Sequence, residues 1–202
     1  MINVVIYVDA RPDSTAEATT LLKNYHDSSR TAEGNVETTV LQETFRPNRF
    51  VIVQVWKDES SFQAHESASR VAEFRSKLQA IHNSPYDQRV HHDFAVVMEK
   101  ERAGGDSLWV ITHVDVPPPR REETEILLKR IAEQSRGDAG HQRYDIFQQH
   151  APRTNHFTVV ARWINETAFV ANGMSPATRR FREDLGPMLG APYDERLYRQ
   201  LP

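Results

Sequence analysis

The chain has 202 residues, 39% hydrophobic and 26% charged, with a formal net charge of −3. That balance describes an ordinary globular protein without electrostatic attraction for phosphate backbones or anionic lipid, so it argues against nucleic acid and membrane surfaces as partners. The absence of cysteine excludes disulfides, a thiol nucleophile and thiolate metal sites.

In chain order, Ile2 to Val8 is a β-branched run that predicts a strand. Ser14 and Glu17 have the spacing of a capping box, and Ala18, Leu21, Leu22 and Tyr25 then form the apolar stripe of a helix. Gly34 sits where that helix should end. Val36 to Thr44 and Phe50 to Trp56 read as two strands joined by a turn at Arg46-Pro47-Asn48. Asp58 stands in position to cap a short helix carrying Phe62, and Val71, Phe74, Leu78 and Ile81 line a further helix. Arg89 to Met98 is the last strand of this half.

The chain then repeats itself. Leu21-Leu22-Lys23, Ser29-Arg30 and Gly34 recur 106 residues later as Leu127-Leu128-Lys129, Ser135-Arg136 and Gly140. Trp56, Phe62, Phe74 and Pro85-Tyr86-Asp87 recur at 107 as Trp163, Phe169, Phe181 and Pro192-Tyr193-Asp194. A period near 100 residues is domain-sized, too long for a solenoid unit. The predicted organisation is a domain over 1–98, a polar linker over 99–107 and a second copy over 108–202. Each copy orders its elements strand, helix, strand, strand, helix, strand, the ferredoxin-like arrangement. The expected fold class is α+β: two ferredoxin-like (βαββαβ) repeats packed sheet to sheet as an intramolecular pseudo-dimer, with a further homodimer left open. No basic leader precedes the first strand and no apolar run reaches the roughly 18 residues a membrane span needs, so a cytoplasmic location is expected.

The string Phe50-Val-Ile-Val-Gln-Val-Trp56-Lys-Asp-Glu-Ser-Ser-Phe62-Gln-Ala-His65, preceded by Arg30 and Glu33-Gly34-Asn35, resembles the antibiotic biosynthesis monooxygenase family of dimeric α+β barrels. The family is functionally mixed. The resemblance implies cofactor-independent oxygenation of a small aromatic, quinol or polyketide-like substrate by molecular oxygen, without metal or flavin, in a cavity lined by Trp56. The other implied readings are a non-catalytic ligand-binding or stress-related protein, an isomerase of a small oxygenated metabolite, and a haem-degrading enzyme. Haem is disfavoured because the first strand carries Tyr7 where those relatives have asparagine.

His65 is the candidate catalytic residue. Three positions after Phe62 on a helix, it should face the cavity mouth, where an imidazole can take a phenolic or enolic proton; the alternative is a structural histidine. Its counterpart is Asn172, so the second copy is read as degenerate. Tyr7, Trp56, Phe62 and Phe74 are the candidate substrate-binding residues, each with core packing as its alternative. Arg89 and Arg196 are expected to pair with nearby acids. His91-His92-Asp93 does not form a metal triad, because successive strand residues face opposite ways. His26, His82, His141, His150 and His156 are expected to face solvent.

Overall fold

A computed structural model describes residues 1–96 and 107–201. The expected linker, apart from Ser107, and the last two residues of the predicted strand over 89–98 lie outside the described residues. The chain divides into two compact units, Met1–His91 with Gln200–Pro202, and His92–Arg199.

The first unit runs β1 (Ile2–Asp9), α1 (Thr15–Arg30), β2 (Asn35–Glu43), β3 (Arg49–Trp56), α2 (Glu59–Glu66), α3 (Ser69–Ile81) and the start of β4 (Asp87–Ala95), whose residues from His92 on belong to the second unit. The second runs β5 (Leu108–Asp115), α4 (Arg121–Ser135), β6 (His141–Gln149), β7 (His156–Trp163), α5 (Glu166–Met174), α6 (Pro176–Leu185) and β8 (Asp194–Gln200). Both follow the ferredoxin-like order that the sequence predicts. In the first unit β3 lies antiparallel between β1 and β2, with Ile2 opposite Trp56 and Asn35 opposite Trp56. In the second the antiparallel order is β8-β5-β7-β6.

β3 is apolar at six of its eight positions because it is central and buried on both faces, all but its first residue being enclosed. Its alternation sends Phe50, Ile52 and Trp56 to the helix side, where they join Val4, Ile6 and Val8 of β1, Leu22 and Tyr25 of α1, Phe62 of α2, and Val71, Phe74 and Leu78 of α3 in one core. Fully enclosing a side chain the size of Phe or Leu contributes about 1.5–3 kcal/mol, so this core, together with its counterpart in the second unit, holds the helices on the sheets.

Local signals decide the helix ends. Asp58 accepts from the Ser61 N–H at 2.8 Å, and Asn165 accepts from Ala168 N–H at 2.9 Å, as their N-cap spacing predicts. The capping box at Ser14 does not form. Pro12 opens a 3-10 turn through Ser14, which leaves Ser14 at φ −102°, ψ 11°, outside the extended geometry a cap needs, and its hydroxyl bonds Asp13 instead. Gly34 has φ +76°, and a Cβ there would lie 2.2 Å from Ser61 Oγ, so only glycine lets the start of β2 approach α2 this closely.

Candidate functional site

Three elements of the first unit converge on one buried polar cluster. α1 supplies Tyr25 from the last position of its apolar stripe, β3 supplies Gln54 and Trp56 from its helix-facing side, and α2 supplies His65 from its last turn. All four are buried, His65 being 3% exposed. His65 Nε2 lies 3.1 Å from the Tyr25 hydroxyl. Gln54 Nε2 donates to the same hydroxyl at 3.4 Å and to Thr38 Oγ1 at 3.5 Å. Aromatic faces close the cluster: Trp56 to His65 at 4.6 Å between ring centroids, Trp56 to Phe62 at 6.3 Å, and Tyr25 stacked on Phe74 at 4.1 Å.

This environment sets the charges. Burial holds the His65 imidazole well below its ordinary range, at about 4, against an opposing pull from Glu66. The ring is therefore neutral at pH 7. Burial, helped by Glu66, pushes the Tyr25 phenol up to about 12, so it keeps its proton. Three buried polar atoms here have no protein partner: His65 Nδ1, Trp56 Nε1 and Gln54 Oε1. An imidazole whose proton sits on Nε2 donates to Tyr25 and presents a free Nδ1 lone pair; the opposite tautomer presents an Nδ1–H donor. Beside the cluster, Glu66 accepts from Arg75 Nη2 at 2.5 Å and from Gln88 Nε2 at 3.0 Å.

A cleft of about 160 Å³ between α1 and α3 is lined by Tyr25 and Phe74, with Asn24, Arg70, Glu73 and Lys77 among the groups at its walls. It leads from the surface to the stacked Tyr25–Phe74 pair.

Trp56, Phe62, Phe74 and His65 are thus brought together. His65 is enclosed rather than open at a cavity mouth, because α2 sets its ring against Trp56, tilted by 36°. Tyr7 is not with them: Val4, Ile6 and Val8 take the helix-facing side of β1, which leaves Tyr7 on the opposite face, where the Arg89 guanidinium lies 5.0 Å from its ring. Arg89 pairs with Asp87 at 2.8 Å and Arg196 with Asp194 at 2.6 Å. The five histidines expected in solvent are all half-buried. His156 pairs with Asp115 at 2.7 Å, and His141 packs edge-on to Trp163 at 5.7 Å.

Tyr25 and Gln54 escape a reading of sequence pattern, since both stand at apolar-stripe positions. Aligning the copies exposes them. Tyr25, Gln54 and Thr38 become Ile131, Ala161 and Tyr144 in the second unit. There Asn172 bonds Asp138 Oδ2 at 2.6 Å, and the matching interior keeps a cavity of only about 20 Å³.

Known proteins share this architecture. "Putative monooxygenase YcnE" of Bacillus subtilis (strain 168) is 25% identical over 87 residues, which is 43% of this chain and 92% of that protein. The crystal structure of a "Putative monooxygenase (FN1347)" from Fusobacterium nucleatum superposes with a TM-score of 0.87 at 13% identity, covering 100% of this chain and 92% of that one. An "anthrone oxidase-like protein" superposes at 0.78 and 12% identity, over 100% and 91%. The sequence profile of the antibiotic biosynthesis monooxygenase family matches residues 1–77 and again 107–184. The chain belongs to the antibiotic biosynthesis monooxygenase family, whose domain it carries twice.

Proposed function

We propose that the protein is a monooxygenase that needs no metal or flavin, oxidising a small aromatic or quinol-like molecule with molecular oxygen in the first unit. The observation that carries this reading is the trio of unpartnered polar atoms around Tyr25 and His65. Leaving a buried donor or acceptor unmet costs about 1–3 kcal/mol, and here three are set among aromatic faces that suit a flat ring. The substrate approaches along the cleft between α1 and α3, past Tyr25 and Phe74. Trp56, Phe62 and Phe74 supply the apolar walls.

His65 is the base. With its own proton on Nε2 and hydrogen-bonded to Tyr25, its Nδ1 takes a proton from an acidic C–H or O–H of the substrate. The resulting imidazolium and substrate anion form an ion pair, which offsets the burial that otherwise disfavours a charged ring. The electron-rich anion then transfers an electron to oxygen. For a methylene beside carbonyls the overall change is CH2 + O2 → C=O + H2O, one oxygen atom entering the carbon and the other leaving as water. Tyr25 holds the ring and remains protonated throughout.

Oxygen-electrode traces with a panel of hydroquinones and anthrones test the assignment. Stoichiometric oxygen uptake with substrate loss is expected. Substrate loss without oxygen uptake would instead assign an isomerase, and saturable binding without turnover a carrier or sensor.

A further inference from the structure

A second cavity in the first unit, of about 310 Å³, opens where the end of α3 meets the segment leading into β4. His65, Trp56 and Phe62 do not line it. Val8, Leu78, Pro85 and the Tyr86 ring give it apolar walls, while Arg75, His82 and Ser84 supply polar groups. Six of its nine lining residues, from Leu78 to Tyr86, lie beyond residue 77, where the family likeness ends in this half.

We propose that this cavity binds a flat, uncharged carbonyl compound of one or two rings, separately from the reaction at His65. Its volume is at the low end of the roughly 300–1,000 Å³ typical of small-molecule pockets, which suits a compact bicyclic body. The polar anchor is Arg75. Its Nη2 donates to Glu66 and Gln88, its guanidinium lies 5.1 Å from the Tyr86 ring centroid, and its Nε is buried with no partner. That Nε–H is a donor without a protein acceptor on a residue that lines the cavity.

The charge balance selects a neutral ligand. The Arg75 cation is already matched by the Glu66 carboxylate, and the Asp9 carboxylate at the cavity wall by Arg49 at 3.1 Å. An added carboxylate or ammonium would enter a partly apolar site without an unmatched counter-charge. Tyr86 spends its hydroxyl proton on Gln88 Oε1 at 3.1 Å, so the ligand's oxygen falls to Arg75.

The second unit carries other groups at the matching positions. Arg182 and Tyr193 recur there, but Gln88 is replaced by Glu195, whose two oxygens both accept from Arg182 Nη2 at 3.2 and 3.3 Å. His82 and Ser84 become Leu189 and Ala191, and the chain tightens into a 3-10 turn over Gly186–Met188 that buries Met188 in the core.

Titration calorimetry of the full chain with coumarin, a neutral bicyclic lactone, tests the inference, with naphthalene and coumarin-3-carboxylate as controls. Coumarin should bind saturably and each control at least roughly tenfold more weakly, the loss expected for one missing hydrogen bond or one unmatched charge. Arg75→Lys, which retains the charge facing Glu66 but lacks the Nε–H, should weaken coumarin by a similar factor. Ser84→Trp, at a half-buried rim position that spares the core, should abolish binding. No saturable coumarin binding, tighter binding of the carboxylate, or full affinity in Ser84→Trp would overturn the proposal. None of these readouts uses turnover, so loss of this site and failure of the His65 assignment are separately visible.

Discussion

Replacing His65 with glutamine, which is polar and close in size, should change how the protein's stability responds to acid. The imidazole falls from 6.5 to about 4 on folding because burial disfavours its cation. Between those values the unfolded chain holds the proton and the folded chain does not, so stability rises with pH across this window. The stabilisation is whole above pH 6.5 and is lost as pH falls through about 4. For a side chain only 3% exposed this shift corresponds to about 3 kcal/mol. Urea unfolding at steps from pH 7.5 to 4 supplies the assay. The wild-type minus His65→Gln difference should decline by about 3 kcal/mol over that range, while carboxylate titrations common to both proteins cancel. A flat difference curve would show instead that His65 titrates alike folded and unfolded.

Three further outcomes follow from the same geometry. Tyr25→Phe deprives His65 Nε2 and Gln54 Nε2 of a shared partner and should cost about 1–3 kcal/mol by urea unfolding. Gly34→Ala must place a Cβ against Ser61 Oγ at φ +76°; its thermal midpoint should fall by more than the effect of about 1 kcal/mol, with partial recovery in Gly34→Ala/Ser61→Gly. In the second unit Arg143 and Asp145, each with a side chain 3% exposed, pair at 2.7 Å. Asp145→Ala should destabilise by about 3–5 kcal/mol in chemical denaturation, since it takes the carboxylate away from a buried guanidinium.

Much of this arrangement is legible in the sequence because the chain states it twice. Spacings shared by both copies, the tryptophan, the phenylalanines and the Pro-Tyr-Asp turn, mark scaffold, and they fall where the ferredoxin-like order puts them. His65 stands out by differing from Asn172. Its burial is not legible, since helix spacing gives the direction of a side chain but not what closes over it. Tyr25 is hidden for a related reason: on an apolar stripe a tyrosine reads as core, and only the position of its hydroxyl reveals the polar cluster. Tyr7 falls outside the cluster because alternation along β1 gives the helices Ile2, Val4, Ile6 and Val8 and leaves Tyr7 with Asn3, Val5 and Asp9 on the other face. The Ser14 cap fails because Pro12 determines the local turn before the serine can act. The contrast of Gln88 with Glu195 gains meaning only when Arg75 and Arg182 are seen with their partners.

Of the two repeated units, the first carries the proposed chemistry, through His65. The decisive measurement is kcat/KM for oxygen-dependent oxidation of one active substrate by the wild type, His65→Gln and Asn172→Ala. A loss of about 10²–10⁴-fold is expected in His65→Gln, the usual worth of a positioned base, with wild-type turnover in Asn172→Ala. Turnover retained in His65→Gln, or lost only in Asn172→Ala, would contradict it.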